Sequence, residues 1–147
     1  MGSFVSVVEL PASPATCWAF VVEHGAEIEP LSFEPEGAQG VGTMNRLSGR
    51  VLGVPISGVS RTLVWNPPER CVFESVKPSW PIRTLITEDF EPSATGTRHS
   101  IHYEVTPRGM VGLLAAPLVC SLMQRSRRRY QERLKAAIAQ RGRSGAT

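Results

Sequence analysis

The sequence predicts an α+β domain in which a curved, largely antiparallel sheet of about seven strands wraps around one long C-terminal α-helix. One or two short helices are expected after the first strand. Three observations carry this. Between Leu31 and Thr106, apolar β-branched segments follow one another with only Gly, Pro and Asn turns between them, so neighbouring strands must pair antiparallel. From Met110 to Gln140 the chain is dominated by helix formers instead. The 13 glycines and 12 prolines interrupt the chain too often for a helical bundle. A length of 147 residues suits one domain, placed at residues 1–140, and residues 141–147 are expected to form a mobile tail.

The first strand is Phe4 to Leu10, ended by Pro11. Ser13-Pro14 then starts a helix, with a hydroxyl cap and a proline at the first helical position. Trp18, Val21 and Val22 follow at helical spacing, and Gly25 or Pro30 is expected to end the segment. The next strands are Leu31–Glu36, Val41–Leu52 and Val54–Trp65, the last closed by the turn Asn66-Pro67-Pro68-Glu69. Cys71–Lys77 follows, then the connection Pro78-Ser79-Trp80-Pro81, then a hairpin of Ile82–Phe90 and Thr97–Thr106. In the terminal helix Val111, Leu114, Leu118 and Leu122 continue into Tyr130, Leu134 and Ile138, a stripe expected to face the sheet. Pro117 predicts a kink or restart, and ligand access is expected near it.

The net charge of +3 conceals an asymmetry. Residues 1–124 hold eight basic and twelve acidic residues, a net of −4, whereas 125–147 hold eight basic residues and Glu132, a net of +7. The basic character therefore belongs to the end of one helix, where Arg125, Arg127, Arg128 and Arg129 cluster. Cations there favour the helix dipole, and they also suit transient contact with an anionic membrane surface. Neither a base-reading motif nor an aromatic stacking platform accompanies them, so nucleic acid is not an expected partner. Cys17, Cys71 and Cys120 are widely spaced and set in apolar surroundings, which predicts buried reduced thiols rather than disulfides or a metal site. No cofactor motif is present, and no metal is expected. The N-terminus lacks a secretory pattern, and its loose match to a myristoylation signal falls on residues needed in the first strand, so a cytoplasmic location is expected.

Several short motifs occur in one order: Ser13-Pro14 with Trp18, Gly40-Val41-Gly42-Thr43, Trp65-Asn66-Pro67-Pro68-Glu69-Arg70, Gly96-Thr97-Arg98, and Pro107-Arg108-Gly109 before the last helix. With them the chain resembles the bacterial polyketide cyclase/dehydrase-like proteins of the START and birch-pollen-allergen superfamily. The resemblance implies the helix-grip fold and an internal cavity. The implied activities are binding of a lipid-like or polyketide-like molecule, or a cyclase or dehydratase reaction; fold alone does not choose between them.

Strand parity selects candidate site residues. Ile101 and Val105 set the inward face of their strand, bringing His99 and Tyr103 with them. Ile86 and Phe90 likewise bring Glu88. His99 and Tyr103 are the candidate acid/base pair, because imidazole titrates near neutrality and a phenol can donate. The expected ligand-binding set is Trp18, Arg61, Ile86, Glu88, Phe90, His99, Ile101, Tyr103, Leu114, Leu118 and Leu122. Arg61, and Arg46 beside it, would pair a ligand carboxylate if inward, or an acidic neighbour such as Glu74 if outward. The leading expectation is a protein that binds a hydrophobic small molecule in its cavity. The alternatives are a cyclase/dehydratase-type enzyme and a non-catalytic module that docks through the basic helix.

Overall fold

The structure is a computed structural model and describes residues 2–28, 31–51, 53–78 and 81–145. Its elements are β1 (Gly2–Leu10), α1 (Pro14–Ile28), β2 (Leu31–Pro35), β3 (Met44–Val51), β4 (Val54–Asn66), β5 (Arg70–Lys77), β6 (Ile82–Ser93), β7 (Gly96–Pro107) and α2 (Gly109–Gly145). The seven strands form one antiparallel sheet in the order β1-β7-β6-β5-β4-β3-β2. Every sequential pair from β2 to β7 is a hairpin, and β1 crosses to the far side of β7. The expected sheet and terminal helix are both present.

A single helix follows β1. Ser13 caps α1 by accepting from the Thr16 amide at 3.3 Å, and the helix passes through Gly25 to Ile28. The expected stop at Pro30, and residues Ser79 and Trp80 of one connection, lie outside the described residues. α2 continues to Gly145, five residues past the expected end, and carries Pro117 inside it without a restart. Proline deprives the Leu113 carbonyl of its helical donor, but Leu113 is exposed, so water can replace that bond.

α2 lies on β1 and β7; its second half buries the expected stripe of Tyr130, Leu134 and Ile138, but its first half turns inward the opposite face to the one its large side chains suggest. Leu114 is 81% exposed and Leu118 63% exposed, and Met110 and Val111 also face solvent. The buried positions include Gly112, Ala116, Met123, Tyr130, Gln131, Leu134 and Ile138. Close approach decides this: a Cβ on Gly112 would overlap the Pro81 carbonyl oxygen, and one on Gly2 would stand 2.8 Å from Cys120 Sγ. Only small residues can occupy that contact, so the leucines are turned outward.

Two apolar clusters fill the concave side. Leu10, Cys17, Trp18, Phe90, Ile101, Tyr130, Leu134 and Ile138 pack around the far half of α2. Phe4, Tyr103, Val105, Ala116 and Met123 pack around its first half. Arginines occupy the convex face: Arg61 pairs with Glu74 at 3.4 Å, and Arg70 with Asp89 at 2.6 Å. Arg46 is likewise exposed, 3.7 Å from Glu36. The expectation of Arg61 as a ligand contact is therefore corrected.

The seat of α2 generates a prediction of sign. Alanine for glycine in a helix normally gains about 1 kcal/mol. Gly112→Ala is expected instead to lose about 1–3 kcal/mol through overpacking, whereas Gly142→Ala, with nothing within 4 Å of its added Cβ, should not. Urea-unfolding midpoints check this, and a raised midpoint for Gly112→Ala would contradict the close contact.

Candidate functional site

Strand curvature leaves a cavity of about 440 Å³ between the sheet, α1 and α2. Its inner wall is Phe90, Ile101 and Tyr103 from β6 and β7, with Ile86 and Glu88 beside them. Alternation places these on one face, because each is an even residue of β6 or an odd residue of β7. From α1 comes Trp18, whose ring meets Trp65 at 5.0 Å and Phe90 at 5.3 Å between centroids. Trp65 reaches the inside because β4 changes register between Thr62 and Val64: Ser60 and Thr62 are buried before the shift and Trp65 turns inward after it. From α2 come Val119, Met123, Arg127 and Tyr130.

The lining extends from buried Ile101 and Phe90 to exposed Val22, Ile56 and Lys77. The cavity thus opens between α1 and the β3–β5 side of the sheet, not at Pro117. Its far side is polar. Buried Asn45 donates to Thr62 Oγ1 at 3.0 Å and accepts from Gln39 Nε2 at 2.9 Å, and Thr62 donates to Gln39 Oε1 at 2.7 Å. Gln39 and Ser60 present the edge of this network to the cavity.

Of the residues expected from sequence, Trp18, Ile86, Glu88, Phe90, Ile101 and Tyr103 line the cavity. Arg61, Leu114, Leu118 and Leu122 do not; Leu122 lies on the flank of α2 between its two faces. His99 has no exposed surface and sits behind the lining. The expectations missed Val119, Met123 and Arg127 because the first half of the helix was read with the wrong face inward; Tyr130, expected to face the sheet, does so and also lines the cavity. The i, i+4 pair Val119–Met123, continued by Arg127 and Tyr130, could have shown them.

The electrostatics centre on His99 and Glu88. Gln131 Nε2 donates to the Ser6 carbonyl at 3.0 Å, while its Oε1 accepts from Ser6 Oγ. This fixes the carboxamide so that Nε2, 3.2 Å from His99 Nδ1, is the donor there. Nδ1 is therefore the bare nitrogen, and Nε2–H donates to Glu88 Oε1 at 2.6 Å. Burial alone would raise the Glu88 carboxyl, but the His99 hydrogen bond, reinforced by the nearby Arg127 guanidinium and the Cys71 thiol, holds it below the ordinary carboxylate range. Burial chiefly, with Glu88 adding to it, pushes the Cys71 thiol far up, so it stays protonated. The result is a carboxylate on the wall of an apolar cavity, steadied from behind by a neutral imidazole. Among the described residues no three His, Cys, Asp or Glu side chains converge to hold a metal ion.

A family model described as "Polyketide cyclase / dehydrase and lipid transport" matches residues 1–139. The chain belongs to that polyketide cyclase/dehydrase family. No curated protein matches it by sequence. Solved structures with this fold include TTHA0849 from Thermus thermophilus, at 20% identity and a TM-score of 0.74, covering 94% of this chain and 97% of that one. Ara h 8.0201 aligns at 14% identity and a TM-score of 0.70, covering 95% and 98%. The di-domain ARO/CYC StfQ from the steffimycin biosynthetic pathway aligns at 14% identity and a TM-score of 0.75, covering 95% of this chain and 52% of that longer one. At these identities the likeness establishes a shared helix-grip fold, and the family and fold together support hydrophobic-ligand binding or cyclase activity in general terms.

The lowered Glu88 acidity has a consequence for stability. An unfolded Glu88 takes up its proton near pH 4.5, before the folded one does. The stabilisation from this group is complete above that pH and is lost as pH falls below it. Glu88→Gln should lower stability at pH 7 by about 1–3 kcal/mol and flatten the loss between about pH 5 and 3. Parallel pH profiles for the two proteins, measured by urea unfolding, would contradict the assignment.

Proposed function

We propose that the protein binds a hydrophobic, lipid-like or polyketide-like small molecule in the cavity between its sheet and α2. The observation that carries this is an aromatic-rich void of about 440 Å³ with an open side, retained in a fold whose helix is otherwise seated in close contact. That volume falls in the range of small-molecule sites. A ligand burying about 200 Å² of apolar surface there gains about 5 kcal/mol before ordering costs. The family description, which includes both cyclase/dehydrase and lipid transport, supports the ligand class. The cyclase or dehydratase alternative draws on Glu88 and Tyr103, which face the cavity; His99 would act on a substrate only through Glu88. Native mass spectrometry of gently purified protein should show a bound ligand, or take up an anilinonaphthalene probe that quenches Trp18 and Trp65. Ile86→Trp, which fills the cavity, should weaken probe binding at least about tenfold while the fold is retained. A chain that takes up neither ligand nor probe would overturn the reading.

The outward face of α2 favours a second reading, docking of the loaded or empty protein on an anionic bilayer. Met110, Leu114 and Leu118 continue at steps of three or four through Ser121 into Arg125, Arg128 and Arg129, so one exposed stripe is apolar first and basic second. Arg127, from the same sequence cluster, turns inward to the cavity and over the Tyr130 ring. Among the described residues no helix is long and apolar enough to cross a membrane. Sedimentation with phosphatidylglycerol vesicles should capture the protein at low salt, less at about 0.5 M salt, and little after Leu114→Asp with Leu118→Asp. Capture that ignores both changes, or none at low salt, would remove this reading.

A further inference from the structure

The geometry points to Glu88 as the recognition group for a neutral hydroxyl on the ligand, an alcohol or phenol, at the inner end of the cavity. The inference rests on the cavity being a ligand site and adds the ligand's polar chemistry. A carboxylate offers about four lone-pair positions and no proton. His99 Nε2–H fills one on Oε1, and the Cys71 thiol, a weak donor, lies 3.8 Å from Oε2. Cavity-side acceptor capacity therefore remains on a group surrounded by Phe90, Ile101 and Ile86. A ligand atom meeting it must donate.

Charge narrows the donor. At the inner end the wall carries the Glu88 carboxylate with the Arg127 guanidinium nearby, while Glu74 and Lys77 line other parts of the cavity, and the network between Glu88 and Gln131 is neutral because Gln131 occupies His99 Nδ1. A ligand ammonium would add a buried positive charge to a balanced pair, and a ligand carboxylate would face Glu88 with like charge. A hydroxyl leaves the balance unchanged and gains a charge-assisted hydrogen bond. Gln131 and His99 are positioning residues here: they hold the carboxylate and its proton donor without reaching the ligand.

The test compares 2-naphthol with 2-methoxynaphthalene, which keeps the aromatic body and removes the donor. Wild-type protein should bind the naphthol about tenfold or more tightly than the ether, the preference expected for a hydrogen bond to a charged group. In Glu88→Gln the carboxamide oxygen still accepts from His99 and its NH₂ replaces the free acceptor, so the preference should disappear or reverse. Equal wild-type affinities, or a preference that survives Glu88→Gln, would overturn the inference while leaving the cavity reading intact. Failure of both probes to bind wild-type protein would overturn both together. If Glu88→Gln does not fold, the absorption of naphthol bound to wild-type protein decides: a red shift from its position in hexane supports donation to the carboxylate, and an unshifted band contradicts it.

Discussion

The close seat of α2 on β1 is the contact on which the rest of the molecule depends. Gly2 lets β1 approach Cys120 of the helix, Gly112 lets the helix approach the backbone of Pro81 and Pro107 beside the start of β6 and the end of β7, and Gln131 fixes its rotation with hydrogen bonds to Ser6 and His99. A helix held so tightly on β1 and β7 makes only slight contact with β3 and β6. The sheet curves away from it, and the space beyond becomes the cavity, closed over by α1 through Trp18. Tight packing on one side and a void on the other are one geometric consequence, not two separate designs.

The same contact carries the fold into the site. Gln131 is a helix residue whose carboxamide orders the backbone of β1, selects the His99 tautomer on β7, and through it directs a proton to Glu88 on β6. Each member of this relay has its partner, which is what permits a carboxylate to stand against an apolar interior. Phe90 packs on the His99 ring at 4.7 Å between centroids, so the imidazole cannot rotate away from either neighbour.

Much of this was readable from residue order. Strand parity placed Ile101, Tyr103, Ile86, Glu88 and Phe90 inward because a period of two leaves little freedom once two core residues are fixed. Ser13-Pro14 located the start of α1 for similarly local reasons. The face of α2 was not readable by counting large apolar residues, because its first half is apolar all round, and burial there was decided by size: glycine and alanine face in, leucine out. Arg61 was ambiguous since the order of residues left its face open: Glu74 was a candidate outward partner, and the register that sets the two opposite each other decides for it. His99 was correctly oriented by parity, but its depth behind Glu88 depends on Gln131, 32 residues away, to which no local pattern pointed.

Ligand binding under α2 requires an accessible apolar cavity there. Xenon enters such voids and leaves polar or filled interiors unoccupied. A crystal of the protein under xenon pressure should therefore show the gas beside Trp18, Phe90 and Ile101. An interior that takes up no xenon there, with the side chains of α1 and α2 packed against the sheet, would contradict the cavity.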